Sequence, residues 1–128
     1  MSQSDKYCIL IVDDNAPNLT LMDRYLGREF DVVTVNNGKD ALNLLSNEKF
    51  DLVLLDIMMP ELNGATVLKI IRGSPELATL PVILISAMPR HEYIARGYYE
   101  LGENDYFTQP MDFEKLNIRI KQILDSRT

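Results

Sequence analysis

The sequence predicts an α/β fold with a doubly wound, five-stranded parallel sheet and five helices. Short apolar runs alternate along the chain with segments whose apolar residues recur every three or four positions, as they do in βαβ units. Three runs, at 7–12, 52–55 and 81–86, are apolar almost throughout, which is typical of strands that a sheet buries on both faces. Right-handed crossovers through helices would then join strands that all point the same way.

In the first half of the chain, turn residues and apolar spacing predict two helices. Asn15 caps the first helix and Pro17 lies in its first turn. A β-branched strand is predicted at 31–35, and Asn37-Gly38 then opens the second helix. The apolar residues that define the inner faces are Leu19, Met22 and Leu26 in the first helix and Ala41, Leu44 and Leu45 in the second.

The second half contains three more strands and three more helices. The strands are predicted at 52–55, 81–86 and 105–108, and the helices begin after Asn63-Gly64, at about Pro89 and at Asp112. We expect the fourth helix to extend from about Pro89 to Leu101. The inner-face residues are Val67, Leu68 and Ile71 in the third helix and Phe113, Leu116, Ile120, Ile123 and Leu124 in the fifth.

The character of the strands predicts their order in the sheet. The strand at 31–35 is short and holds Thr34, which fits an edge position, whereas strands one, three and four fit the centre. The consistent arrangement is a flavodoxin-like sheet of order 2-1-3-4-5. Its topological switch point lies between strands one and three, and open α/β folds place their ligands in the crevice at such a point.

Acidic residues follow the two strands that flank this crevice. Asp13 and Asp14 come directly after 7–12, and Asp56 comes directly after 52–55. A single Asp in such a place is most often a turn or N-cap residue, but two central strands that end in the same way favour a functional site. Three carboxylates brought together repel one another and suit a hard divalent cation. We therefore expect Mg2+ and metal-assisted phosphoryl chemistry here.

Composition limits the classes of protein and partner. The chain has 128 residues, 46% hydrophobic and 25% charged, so we expect a single domain over residues 1–128. The net charge of −6 argues against nucleic acid or an anionic membrane as a direct partner. Cys8 is the only cysteine, which excludes an intrachain disulfide and fits a reducing compartment. Without a long apolar stretch or a signal-peptide pattern, the expected location is cytoplasmic.

Four motifs spread over nearly the whole chain resemble those of the receiver domain of two-component response regulators. They are IVDDN at 11–15, LLDIMMPELNG at 54–64, ILISA at 83–87 and DYFTQP at 105–110. The second is the most specific, because it combines an Asp, a Met-Pro pair and an Asn-Gly pair at set distances. The resemblance implies a signalling domain that takes a phosphoryl group from a histidine kinase or a small phosphodonor. It is not expected to be a substrate-turnover enzyme.

The resemblance also implies roles for individual residues. Asp56 would accept the phosphoryl group. Asp14 and Asp56 would bind Mg2+ directly, Asp13 would act mostly through water, and the Met58 carbonyl would complete the protein ligands. These assignments agree with the acidic crevice that the strand order predicts.

Three further residues would take part in transfer and switching. After phosphorylation the Ser86 hydroxyl would bond a phosphoryl oxygen, and Tyr106 would turn inward and report the state. Gln109 would face the acids, and the resemblance implies a cis Gln109-Pro110 bond. Most receivers have Lys at this position. Gln supplies a hydrogen bond but no charge, a loss on the order of 1 kcal/mol.

Because Gln109 stands where most receivers have Lys, two interpretations of the function remain open. The first is a receiver that switches when Asp56 is phosphorylated. The alternative is a pseudo-receiver, a protein-interaction module whose phosphorylation-dependent switching is weak or absent. A hydrolase or flavin-binding protein of similar topology is disfavoured, because the segment at 13–18 (DDNAPN) is not a phosphate-binding loop rich in Ser, Thr and Gly.

The implied partners follow from the same resemblance. A histidine kinase or phosphotransfer protein would supply the phosphoryl group, and an attached or separate output domain would receive the signal. In receivers, the surface formed by helix four, strand five and helix five usually contacts the output partner. Tyrosines are plentiful in this part of the chain, and exposed Tyr is enriched at interfaces. We therefore expect that this face can also form a homodimer.

Overall fold

The structure, a computed structural model, describes residues 6–98 and 101–127. Its strands are β1 (Cys8–Val12), β2 (Asp31–Val35), β3 (Leu52–Asp56), β4 (Val82–Ser86) and β5 (Asp105–Thr108). Its helices are α1 (Ala16–Leu26), α2 (Gly38–Asn47), α3 (Gly64–Gly73), α4 (Arg90–Ala95) and α5 (Phe113–Asp125). All the strand pairs are parallel and the order is β2-β1-β3-β4-β5, which confirms the predicted fold class and topology. Within these described residues no helix combines the length and apolarity needed to cross a bilayer.

The predicted caps fix where most of the helices begin. The side chains of Asn15, Asn37 and Asn63 each accept a hydrogen bond from the backbone N–H three residues later, and so start α1, α2 and α3. Asp112 caps α5 in the same way through the N–H groups of the second and third helical residues. Each cap satisfies donors that have no partner inside the helix, which is why these boundaries could be predicted from the sequence.

Alternate strand residues build two cores, one on each face of the sheet. In β3, Leu52 and Leu54 face α1 and α5, whereas Val53 and Leu55 face α2, α3 and α4. All four are fully buried, as expected for a central strand covered by helices on both faces. This packing fixes the carboxyl ends of β1, β3 and β4, which are the positions that carry the predicted site.

The fourth helix is shorter than predicted. It ends at Ala95 rather than near Leu101, because Gly97 adopts a left-handed conformation with φ +85°. The Gly97 N–H donates to the Ile94 carbonyl and the Tyr98 N–H donates to the Tyr93 carbonyl, a bond pattern that terminates helices. Of the predicted helix, residues 99 and 100 lie outside the described part of the chain.

Three strand boundaries differ from the prediction by one residue. β1 begins at Cys8, β4 begins at Val82, and β3 includes Asp56 as its last residue. Pro81 has no N–H to contribute to a strand ladder, but its carbonyl still accepts from the Val53 N–H at 3.0 Å.

Replacing Glu61 by Gly should stabilise the protein slightly. Glu61 has φ 64°, and it is the only described residue other than glycine with a positive φ. The left-handed conformation costs roughly 1–2 kcal/mol for a residue with a Cβ, and the added chain entropy of Gly offsets about 0.5–1 kcal/mol of the gain. We expect a free energy of unfolding about 0.5–1 kcal/mol higher in urea titrations. Glu76→Gly, at an exposed turn position, is the control and should be destabilising; equal losses in both variants would contradict the prediction.

Candidate functional site

Three acidic side chains meet at the carboxyl edge of the sheet. Asp13 follows β1 and Asp56 ends β3, and these strands are neighbours, with Val12 opposite Leu55. One carboxylate oxygen each from Asp13, Asp14 and Asp56 lies within 4.8 Å of the other two. Asp13 is fully buried, Asp56 is 6% exposed and Asp14 is exposed. The crevice therefore brings together the three acids that the sequence predicted, with Asp14 on its solvent side.

The environment of Asp56 disfavours its charged form. Burial is the largest cause, followed by repulsion from Asp13 and a smaller contribution from Asp14, and together they raise the Asp56 pKa to about 8. The Met58 N–H, which donates to Asp56 Oδ1 at 3.0 Å, acts in the opposite direction. A divalent cation would offset this repulsion, and the cluster offers only oxygen ligands. The residues present therefore fit Mg2+.

The loop after β3 is held tightly against Asp56. The Gly64 N–H at the start of α3 donates to the Ile57 carbonyl at 3.0 Å. A Cβ on Gly64 would lie 2.2 Å from the Asp56 carbonyl oxygen, so only glycine allows α3 to begin this close to the strand. The Met58 side chain is 52% exposed, so this residue faces the site through its backbone. The Gly of the Asn-Gly pair is thus explained by packing, and the Asn by its side-chain cap of α3.

Asp13 receives donors from three directions. Its Oδ1 accepts from the Asn15 N–H at 2.9 Å, and its Oδ2 accepts from Asn18 Nδ2 and from Gln109 Nε2, both at 3.4 Å. Gln109 therefore reaches the acid cluster, as the resemblance implied, and the Gln109-Pro110 bond is cis. The contact is long and neutral, so Gln109 leaves the negative charge of the cluster uncompensated.

Ser86 and Tyr106 lie on neighbouring strands beside the acids. Ser86 is fully buried, its Oγ accepts from the Met88 N–H at 3.0 Å, and its hydroxyl also forms a hydrogen bond with the Tyr106 hydroxyl. Tyr106 is already inward: it is 8% exposed, and its hydroxyl donates to the Met88 carbonyl at 2.5 Å. Burial raises the pKa of the Tyr106 hydroxyl, so it remains a donor at neutral pH. The inward position expected only after phosphorylation is thus available without a phosphoryl group.

The sequence analysis missed two contributors to the site. Asn18 lies one turn into α1, three residues after the cap, and this spacing could have revealed that it turns back toward Asp13. The Met88 carbonyl that holds Tyr106 is a backbone group, so no side-chain pattern pointed to it.

Comparisons with known proteins agree with this geometry. The family described as "Response regulator receiver domain" matches residues 9–121. The chain is 44% identical over 118 residues to the transcriptional regulatory protein CpxR homolog of Haemophilus influenzae, covering 91% of this chain and 49% of that protein. It is 37% identical over 117 residues to the alkaline phosphatase synthesis transcriptional regulatory protein PhoP of Bacillus subtilis, covering 91% and 48%. The chain thus spans about half the length of these relatives.

The solved structures give the same result. The signal receiver domain of a signal transduction histidine kinase from Syntrophus aciditrophicus superposes with a TM-score of 0.86 at 30% identity, covering 94% of this chain and 91% of that one. The match thus extends over sequence, topology and nearly the full length of the chain. The chain belongs to the response regulator receiver domain family, whose members are signalling domains of two-component systems.

Proposed function

We propose that this receiver accepts a phosphoryl group on Asp56 in a reaction that depends on Mg2+. The observation that carries the proposal is the cluster of three carboxylates at the sheet edge, with oxygens within 4.8 Å of one another and Asp56 almost fully buried among them. Such a site binds a cation and concentrates its charge where a phosphoryl group would arrive. The pseudo-receiver alternative gains no support from the comparisons.

The proposed Mg2+ ligands are the carboxylates of Asp14 and Asp56 and the carbonyl of Met58, with Asp13 acting mostly through water. When bound, the cation screens the repulsion among the acids and organises the phosphoryl oxygens. The protein contributes the arrangement of these groups. Asp13 is held by three hydrogen bonds, and Asp56 is fixed at the end of a strand that is buried on both faces.

Asp56 is the proposed nucleophile. Its Oδ1 accepts the Met58 N–H, so we assign the attack to Oδ2. A bond forms between Oδ2 and phosphorus as the bond from phosphorus to the donor breaks. That donor is a phosphohistidine of a kinase or phosphotransfer protein, or a small phosphodonor. The Asp56 pKa of about 8 means that the side chain must first lose a proton, which the cation promotes. Asp56 is modified in this reaction, so the site is not a turnover catalyst.

Three residues are proposed to respond to phosphorylation of Asp56, namely Ser86, Tyr106 and Gln109. The Ser86 hydroxyl, which is bonded to the Tyr106 hydroxyl in this structure, can turn to donate to a phosphoryl oxygen on Asp56, while Ser86 Oγ still accepts from the Met88 N–H. The Met88 carbonyl in turn holds the Tyr106 hydroxyl. Phosphorylation would thus favour the inward Tyr106 through two adjacent hydrogen bonds. Gln109 positions Asp13 as a neutral donor.

The proposed partners are a histidine kinase or phosphotransfer protein and an output domain, in the cytoplasm. The output face consists of α4, β5 and α5, where Ile94 and Ile118 are 43% and 50% exposed. Exposed apolar side chains on the two helices that flank β5 suit contact with an output domain or with a second copy of this chain.

Incubation with acetyl phosphate tests the proposed function. We expect one phosphoryl group per chain in Mg2+ and none in EDTA, measured by intact-protein mass spectrometry, and we expect hydroxylamine to remove it because an acyl phosphate is labile. Asp51→Asn is a matched control: Asp51 lies at the opposite end of β3 and binds the Cys8 N–H, so this variant should be labelled normally. Labelling that is independent of Mg2+ or resistant to hydroxylamine would contradict the proposal.

A further inference from the structure

Two amide side chains, one from α1 and one from the end of β5, donate to the same oxygen of the buried acid in the cluster. Asn18 Nδ2 and Gln109 Nε2 each lie 3.4 Å from Asp13 Oδ2. Asp13 Oδ1 accepts from the Asn15 N–H at 2.9 Å. An ionised carboxylate has about four acceptor sites, so these three donors leave roughly one for a cation or its water. Asn18 and Gln109 together therefore determine how Asp13 Oδ2 is held.

The cap of α1 does not explain the direction of the Asn18 side chain. The Asn18 backbone N–H donates to Asn15 Oδ1 at 2.9 Å, so the main chain of Asn18 already serves the cap. In a capping box, a Glu or Gln at the third helical position accepts a hydrogen bond from the N–H of the cap residue. In α1 that N–H donates to Asp13 Oδ1 instead, and the Asn18 side chain donates to the other oxygen of the same carboxylate. The Asn18 side chain is thus directed to Asp13 and not to its own helix.

The residue type at position 18 also fits the acid cluster better than it fits the helix. The first turn of α1 contains no acidic residue, although the helix dipole favours acidic residues there. Aspartate at position 18 would have nearly the same shape as Asn18, but it would donate no hydrogen bond and would place a fourth carboxylate beside Asp13. Asparagine is in addition a poorer helix former than Leu, Glu or Gln. A neutral donor at this position is therefore explained by the acids.

The surroundings of the two amides favour their contact with Asp13. Asn18 and Gln109 line a small cleft of about 100 Å³ between α1 and the segment that follows β5. The Gln109 N–H donates to the Ser86 carbonyl at 2.7 Å, which fixes the backbone of residue 109 against β4. The side chains of the other residues that line the cleft contain no oxygen acceptor, and these residues are Leu21, Met22, Pro110, Met111 and Phe113. The Asp13 carboxylate therefore accounts for the position of both amides.

We propose that Asn18 is a positioning residue for phosphoryl transfer, and that Asn18 and Gln109 form a neutral amide pair that orients Asp13 toward the cation. The inference rests on the proposed function, because it assigns the pair to the Mg2+ site beside Asp56. Residues that orient a metal ligand or its water change metal affinity about 10–100-fold when they are lost. One neutral hydrogen bond accounts for about two- to tenfold of such a change. Because both amides bond one oxygen, their contributions should depend on each other.

The first test measures the affinity for Mg2+ by isothermal titration calorimetry. Asn18→Leu removes the donor without weakening α1, because Leu is the better helix former, and it should raise the dissociation constant about two- to tenfold. Gln109→Met removes the other donor, and the double variant should lose more than the product of the two single losses, because no amide then holds Asp13 Oδ2. Thr20→Val is the matched control: it removes a side-chain bond to the Ala16 carbonyl in the same helix, and it should leave the dissociation constant unchanged.

The second test repeats the Asn18→Leu substitution in a Gln109→Lys background. A lysine ammonium would hold Asp13 Oδ2 through a charge-assisted bond, so the loss of the Asn18 amide should matter less there than in wild type. Labelling with acetyl phosphate gives an independent measure. Asn18→Leu should raise the Mg2+ concentration needed for half of the maximal labelling rate, and should leave the rate at saturating Mg2+ within about twofold of wild type. Damage to the fold would lower the saturated rate as well.

The outcomes separate this inference from the proposed function. If wild type binds Mg2+ and Asn18→Leu weakens binding no more than Thr20→Val does, Asn18 has no positioning role and only this inference is wrong. Single losses that simply multiply in the double variant would show that the two amides act independently, which would overturn the pair. If wild type binds no Mg2+ and is not labelled, the proposed function and the role of Asn18 are both wrong.

Discussion

Asp56→Asn should abolish phosphoryl labelling and, in the absence of metal, should make the protein more stable than wild type at pH 8. An amide cannot act as the nucleophile, so labelling with acetyl phosphate should disappear. The gain in stability arises because Asn places no charge beside Asp13 and Asp14, whereas the Asp56 carboxyl, with its pKa raised to about 8, must ionise in a buried acidic crevice. If Asp56→Asn loses labelling but becomes more stable, Asp56 serves the function of the protein and not its stability.

The pH dependence of this gain has a definite sign. The ordinary pKa of an aspartate is 3.8 and the pKa in the folded protein is about 8, so the folded state binds more protons than the unfolded state between these values. The contribution of Asp56 to stability is therefore fully present below the lower value and is lost as the pH rises through the higher one. The difference in melting temperature between Asp56→Asn and wild type in EDTA should grow from about pH 5 to about pH 8. Asp23→Asn, at an exposed position on α1, is the control, and an equal change in that variant would argue against the acidic crevice as the cause.

Mg2+ should reverse this order of stability. Binding to the folded state alone contributes about 2.7 kcal/mol at a hundredfold excess over the dissociation constant. Wild type should gain this stability in thermal melts with MgCl2, whereas Asp56→Asn and Asp14→Asn have each lost a proposed ligand and should gain less. The metal site would be refuted if Mg2+ changed the melting midpoint neither of wild type nor of Asp14→Asn.

The sequence predicted the parts of the fold that depend on local chemistry. Side-chain caps at Asn15 and Asn63 set helix starts, and continuous apolar runs identified the central strands. The strand order then followed from burial, and the meeting of Asp13 and Asp56 followed from the strand order. The bounds of β2 and β5 were predicted correctly because the residue types within each short segment determine where the strand begins and ends.

The parts that were not predicted depend on contacts between distant segments or on backbone conformation. The early end of α4 depends on the left-handed conformation of Gly97, and an isolated Gly in an amphipathic segment does not reveal this conformation. The inward position of Tyr106 depends on a carbonyl of the preceding loop, which no sequence pattern marks. The positions of the three acids were therefore easier to predict from the sequence than the length of α4 or the conformation of Tyr106.

Gln109→Lys should strengthen the coupling between Asp56 and the α4–β5 face. Gln109 Nε2 lies 3.4 Å from Asp13 Oδ2, a long neutral hydrogen bond. A lysine ammonium there would add a charge-assisted bond to the acid cluster and to a phosphoryl group on Asp56. Such bonds contribute roughly 1.5–3 kcal/mol, against about 0.5–1.5 for neutral ones. Since about 1.4 kcal/mol corresponds to a tenfold change, the active-to-inactive ratio of the phosphorylated protein should rise several-fold to about tenfold.

A series at residue 109 makes this prediction quantitative. Met, Gln and Lys have side chains of similar length and offer no donor, a neutral donor and a charged donor, so the phosphorylation-dependent shift of amide resonances in α4 and β5 should increase in that order. Gln122→Lys adds the same charge on the exposed surface of α5 and should leave the shift unchanged, which separates a local contact from net charge. If wild type and Gln109→Lys are labelled at Asp56 and shift equally, Gln109 replaces the lysine without loss. If neither accepts a phosphoryl group, the pseudo-receiver function is the correct one, because restoring the missing charge did not restore the chemistry.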